Sequence, residues 1–150
     1  MSGSREFLLD TNIILHATRA DSKACAAIEA QFGLSTSRFR PTISEVSVGE
    51  LLAFTQSAHW GEKRKELLLS RISKTLVIPI GHPGIHKRWA EMHSALRSVG
   101  LTIGHNDIWI AATASVAGMT VLTMDKDFAT LKQTVGLDVC ILDSRTGLRI

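Results

Sequence analysis

Four acidic residues stand where this sequence can bring carboxylates together. Asp10 ends the apolar run Phe7-Leu8-Leu9, and Asp125 follows Val121-Leu122-Thr123-Met124. Glu50 lies among Val48, Leu51, Leu52 and Phe54, and Asp107 opens the apolar segment Ile108 to Ala117. Carboxylates crowded into a partly buried crevice cannot all stay ionised and unpaired, because like charge and desolvation both oppose it. A hard divalent cation relieves that conflict. Magnesium and manganese take oxygen ligands, and with no cysteine and only His105 near the acids, structural zinc is a poor fit. Such an ion binds a phosphate, acidifies a coordinated water and stabilises charge on a departing oxygen. The chemistry implied is phosphodiester hydrolysis.

Each acid also has an ordinary explanation. Asp10 suits a helix N-cap, Asp107 suits the positive end of a helix dipole, and Asp125 suits an Asx turn. Ser47-Val48-Gly49-Glu50 has capping-box spacing, with Glu50 reaching back to a backbone amide. Only the conjunction of the four favours a site.

The elements that must position these acids are legible from hydrophobic periodicity. Phe7-Leu8-Leu9, a brief extended segment from Thr42, Leu76 to Ile80 closed by Gly81, Val121 to Met124 and Val139 to Leu142 read as strands. Helices are expected soon after Asp10, through Cys25, Ile28, Glu29 and Phe32 to a stop at Gly33, around Val48 to Phe54, and over Glu62 to Ser73. Further helices are expected along the stripe Ile85, Trp89, Met92, Leu96 and Val99, from Asp107 to a cap at Gly118, and over Phe128 to Val135. Residues Leu34 to Pro41 read as a loop. Apolar strands without polar alternation, separated by helices, predict an α/β fold with a parallel sheet covered on both faces. In such a sheet functional groups gather at the carboxyl ends of the strands, where Asp10 and Asp125 stand.

The 150 residues, 45% hydrophobic and 21% charged, suit one globular domain spanning 1–150. No apolar run approaches the roughly 18 residues of a membrane span, and Met1 to Arg5 lacks the pattern of a secretory signal, so a cytoplasmic protein is expected. Cys25 and Cys140 have no metal-ligand spacing and suit buried thiols. A net charge of +3 and a pI near 9.1 are compatible with a polyanionic partner without requiring one.

With these strings in order, the sequence resembles the PIN-domain nucleases over nearly its whole length. Leu8-Leu9-Asp10-Thr11-Asn12 is similar to the family's opening strand and first acid, and Ser44 through Glu50-Leu51-Leu52 is similar to its second. Asn106-Asp107 before Ile110-Ala111-Ala112-Thr113-Ala114 resembles the third, and Leu122-Thr123-Met124-Asp125-Lys126-Asp127-Phe128 the fourth. Two departures stand out: Gly49 occupies a position where the family usually has a better helix former, and Asp127 supplies a spare acid beside Asp125. The resemblance implies a PIN-like fold and Mg2+- or Mn2+-dependent endoribonuclease activity leaving 5′-phosphate and 3′-hydroxyl ends. Asp10, Glu50, Asp107 and Asp125 would be the catalytic and metal-binding residues, with Thr11, Asn12, Asn106, Thr123 and Asp127 orienting carboxylates or waters. Compact length resembles the VapC-type toxin branch, which implies an RNA substrate and a cognate antitoxin covering the groove; the stripe from Ile85 to Val99 suits a homodimer interface or core packing equally.

Arg38, Arg40 and Lys126 flank the motifs and suit either phosphate contact or a solvated surface. His82, His86 and His93 read as surface histidines, His105 as a candidate substrate contact, and Trp60, Trp89 and Trp109 as core or interface. Competing readings are an RNA-processing PIN nuclease without a toxin role, an RNase H-like nuclease and a non-catalytic RNA- or protein-binding PIN module. The expected early helix argues against the RNase H-like fold. Four acids facing a polyanion argue against the pure binder.

Overall fold

The computed structural model describes residues 6–19, 22–35, 40–57 and 59–150. The chain runs β1 (Phe7–Leu9), α1 (Thr11–Ala17), α2 (Lys23–Phe32), β2 (Thr42–Ser44), α3 (Glu45–Thr55) and α4 (Glu62–Ser73). It continues through β3 (Leu76–Ile78), α5 (Pro83–Ser98), α6 (His105–Ala117), β4 (Thr120–Thr123), α7 (Asp127–Val135) and β5 (Val139–Ile141). All strand pairs are parallel, in the order β3-β2-β1-β4-β5. This is the α/β architecture expected from the apolar runs.

Because strand side chains alternate between faces, neighbouring residues of one strand serve two cores. Leu8 and Val121 pack with Ile85, Met92, Ile110 and Phe128, whereas Leu9, Ile43 and Leu122 pack with Ile13, Leu51 and Leu68. The central strands β1, β2 and β4 are therefore buried on both sides, which explains their lack of polar alternation, whereas the edge strand β3 exposes Leu76 and Val77. The chain winds outward from β1 through β2 to β3, then returns to β4 on the other flank of β1. That reversal opens a crevice at the carboxyl ends of β1 and β4, the usual ligand position in a doubly wound sheet. Register places Leu9 beside Leu122, so Asp10 and Thr123 emerge side by side.

Gly33 and Gly118 close α2 and α6 in the left-handed conformation, with φ of 57° and 68°, as their positions predicted. Other boundaries differ for local reasons. β3 stops at Ile78 and not Ile80, since Pro79 has no N–H for a ladder and the Ile80 N–H donates to the Glu45 carboxylate at 2.8 Å. β4 stops at Thr123, and the Met124 N–H turns to the Asn12 side-chain oxygen at 3.1 Å. β5 ends at Ile141, with Leu142 in an isolated bridge to Arg149. α6 begins at His105, two residues before Asp107. Val99, expected on the buried stripe of α5, caps that helix and is 59% exposed. Cys25 and Cys140 are only partly buried and form no disulfide. Among the described residues no helix is long and apolar enough to cross a membrane. Arg38 and half of the expected 34–41 loop, residues 36–39, lie outside the described residues.

Candidate active site

Asp10 reaches the crevice as the residue after β1 and is 4% exposed. Its Oδ1 accepts the Thr11 N–H at 2.8 Å, so it is also the N-cap of α1. Its Oδ2 accepts the Thr123 hydroxyl at 2.7 Å and the Asn12 amide at 3.2 Å. The same Thr123 oxygen accepts the Asp125 N–H at 2.9 Å, and Asp125 Oδ1 accepts the Asp127 N–H at 2.9 Å in an Asx turn. Capping and turn formation thus coexist with convergence: the bonds that satisfy the backbone also aim the carboxylates. Thr123, fully buried at the end of β4, ties the first acid to the fourth.

Glu50 is held differently from its sequence expectation. Ser44, not Ser47, caps α3 by accepting the Val46 N–H at 3.2 Å, so the capping box at Ser47 to Glu50 does not form. Ser47 instead sits inside the helix, fully buried, with its hydroxyl 3.1 Å from that of Thr11. Glu50 Oε1 accepts the Thr11 hydroxyl at 2.7 Å, and Oε2 lies 3.5 Å from the Asn106 amide. Thr11 therefore holds Asp10 through its backbone and Glu50 through its side chain. No steric need accounts for Gly49, because a Cβ there would meet nothing within 4 Å.

Asp107 enters from the first turn of α6, half-buried. Burial, followed by the charges of Asp10, Asp125, Glu50 and Asp127, pushes its carboxyl up to about 7. Burial also raises Asp10; the Thr123 hydroxyl and Thr11 N–H oppose that rise, while Glu50 and Asp125 add to it. Asp10, Glu50, Asp125 and Asp127 therefore all lie within electrostatic reach of Asp107, and Glu50 and Asp125 within reach of Asp10. They are not a preformed chelate: among the described residues no three acid, His or Cys side chains stand close enough to hold an ion directly. Unpaired carboxylates spread apart, and Mg2+ keeps several waters while taking only one or two carboxylates. The donor set, oxygen throughout and in excess negative charge, fits a hard divalent cation.

The raised Asp107 value fixes a sign for pH dependence. The folded chain holds that proton more tightly than the unfolded one, whose carboxyl titrates at its ordinary value of 3.8. The resulting stability is complete below that value and is lost as pH rises through about 7. In EDTA, wild type should lose stability relative to Asp107→Asn from pH 4 to pH 7, with a level difference beyond. Urea midpoints across that range check it; a constant difference would contradict the clustering. Taking the difference removes His16, whose lowered value, caused by burial and then Arg19, acts in the opposite direction.

The expected basic contacts are only partly placed. Lys126 is exposed beside Asp125, but Arg40 lines a cavity of about 620 Å³ near α1 and α2, together with Arg71 and Lys74. His82 caps α5, accepting the Gly84 N–H at 3.0 Å. His86 is exposed, as expected, with its ring edge-on to Trp109. His93, read as a surface residue, is half-buried and stacks on Trp89 at 4.8 Å; Trp89 stacks on Trp109 at 5.2 Å. His105 meets Trp89 and His93 edge-on at 5.5 and 5.6 Å. Sequence reasoning missed this ring cluster. Its only signal was the four-residue spacing of Trp89 with His93 and of His105 with Trp109.

The chain matches the PIN domain family over residues 7–133, a span that includes strands β1 to β4 and all four acids. The chain belongs to the PIN-domain family. Within it the chain falls in the VapC-type branch, being 32% identical to ribonuclease VapC4 of Mycobacterium tuberculosis over 130 residues, 85% of this chain and 92% of that protein. The fold is also that of a chain in the VapBC structure from Salmonella typhimurium bound to DNA, at TM-score 0.73 and 22% identity, covering 90% of this chain and 96% of that one. The VapBC2 structure from Rickettsia felis, bound to a promoter DNA fragment, is similar at TM-score 0.72 and 21% identity, covering 89% and 96% of the two chains.

Proposed function

We propose that this protein is a Mg2+- or Mn2+-dependent endoribonuclease acting as the toxin of a toxin-antitoxin pair, with residues 1–150 forming one PIN domain. The observation that carries the reading is the approach of Asp10, Glu50 and Asp125 from separate elements to Asp107, whose carboxyl is raised to about 7 by burial and then by their charges. The ribonuclease name of the relative VapC4 and the VapBC complexes of the structural relatives supply the substrate and partner classes.

In this reading Asp10, Asp107 and Asp125 are the principal ligands, and Glu50 binds a second ion or orients a coordinated water. When bound, the cation would supply charge neutralisation at the scissile phosphate and would lower the pKa of water so that hydroxide is available for attack. Thr11, Asn12 and Thr123 keep Asp10 and Glu50 from rotating away, by the bonds described above. Asn106 aims its amide at Glu50, and Asp127 adds negative charge at the rim. Products carry 5′-phosphate and 3′-hydroxyl ends. The antitoxin covers the acidic crevice with a basic side chain, and the toxin pairs as a homodimer in the cytoplasm.

Incubating the protein with total tRNA and ribosomal RNA tests the reading. Cleavage should appear with millimolar manganese and stop with EDTA; RNA binding without cleavage under both conditions would identify a binding module instead. The fourth acid is decided separately. Asp125, fixed by Thr123 and nearer the strand end, should outweigh the exposed Asp127: Asp125→Asn is expected to lose at least about tenfold more activity than Asp127→Asn, the scale seen when metal-site geometry is disturbed. A larger loss for Asp127→Asn would transfer the role.

A further inference from the structure

A second cavity, of about 340 Å³, opens between the C-terminal half of α5, the connection that follows it and the start of α6. Its apolar floor is Leu96, Ile103 and Ile108, which are 2, 8 and 1% exposed. Its polar wall is His93, Arg97, Thr102 and His105, and among the described residues no acid lines it. Arg97 forms no ion pair among the described residues, where the pairs found are Lys65 with Glu62 and Arg88 with Glu91. The His93 and His105 rings are oriented by the Trp89 contacts and are not tied up by side-chain hydrogen bonds to acids.

This combination has a specific chemistry. A nucleobase is a flat group with apolar faces and a polar edge, so a greasy floor beside fixed imidazole rings suits it. A guanidinium at the mouth suits the phosphate that accompanies the base, by a forked charge-assisted bond. His105 stands two residues before Asp107, so cavity and acid crevice flank the same first turn of α6. A helix is about 10 Å across with its side chains, a width that one or two nucleotides of single strand can cross.

We propose that this cavity receives one unpaired nucleotide of the RNA flanking the cleaved bond, its base against Leu96, Ile103 and the His93 and His105 rings and its phosphate on Arg97. The proposal rests on the ribonuclease reading for its substrate class, and it makes the cavity a determinant of which sequence is cut. It also gives the ring cluster a purpose: Trp89 holds two imidazoles at fixed angles on the cavity wall.

Binding and cleavage of fluorescein-labelled single-stranded RNA separate the two claims. In EDTA, anisotropy titrations should show Arg97→Gln binding about tenfold more weakly than wild type, with a salt dependence shallower by about one phosphate contact. Arg97→Lys should recover most of the affinity. An abasic site moved along the RNA should weaken wild type by about fivefold or more at one position near the cut, the effect of losing one stacked base. At that position His105→Ala, a change at an exposed residue, should show little further loss. Wild-type affinity and cleavage pattern in both Arg97→Gln and His105→Ala would overturn the subsite while leaving the ribonuclease reading intact. The expected binding losses without any cleavage in manganese would uphold the subsite and overturn the nuclease. Absence of RNA binding by wild type in EDTA would overturn the subsite, and cleavage in manganese decides the ribonuclease reading separately.

Discussion

Asp10→Asn and Asp107→Asn should each reduce manganese-dependent RNA cleavage by at least about a hundredfold, the upper end of what disturbing even the supports of a metal site costs. Both substitutions preserve shape and remove charge. At position 10 the amide oxygen can still accept the Thr123 hydroxyl or the Thr11 N–H, so the start of α1 should persist. Removing a buried charge also relieves desolvation, so the loss cannot be ascribed to unfolding. Glu50→Gln should cost less, because Glu50 is shared between the Thr11 hydroxyl and the Asn106 amide and has the more peripheral place. Cleavage rates read together with far-UV circular dichroism check this. Folded variants at positions 10 and 107 that cleave at wild-type rates would remove both residues from the chemistry.

Much of this arrangement was legible before the fold was known, and the physical reason is the same for each part that was. A strand buried on both faces must be continuously apolar, so the acids that end Phe7 to Leu9 and follow Val121 to Thr123 stand out against the runs they terminate. The buried α6, with six consecutive or near-consecutive residues from Ile108 to Ala114 inside, announces itself similarly. What sequence could not show were contacts between elements. The bond from Thr11 to Glu50 joins residues 39 positions apart, and Thr123 meets Asp10 across 113. Ser47 misled for a related reason: two serines three residues apart stand near the start of α3, and only the end of β2 decides that Ser44 is the cap while Ser47 lies inside the helix. The ring cluster depends on how α5 and α6 dock, which no local pattern encodes.

The second large effect concerns the charge balance of the site when no cation is bound. At pH 8 the Asp107 carboxyl, raised to about 7, is forced to ionise among Asp10, Asp125 and Glu50. Asp107→Asn relieves that repulsion, so in EDTA at pH 8 the variant should melt higher than wild type by at least about 2 °C, the shift that roughly 1 kcal/mol produces in a domain of this size. Manganese should reverse the order. A cation bound only by the folded chain adds about 2.7 kcal/mol when present at a hundred times its dissociation constant, and the variant, with a weakened site, gains less. If Asp107→Asn melts below wild type in EDTA, or gains as much from manganese, the four acids act separately as caps and turns.

Whether these acids jointly hold a divalent cation is measured most directly by a calorimetric titration of manganese into wild type and Asp107→Asn at pH 7.5. Wild type should bind saturably, and because part of the Asp107 population must lose its proton, the observed heat should change with the ionisation enthalpy of the buffer. The variant should bind at least about tenfold more weakly, without that share of the buffer dependence. Equal affinity and equal proton release in the two proteins would contradict a shared metal site at Asp10, Glu50, Asp107 and Asp125.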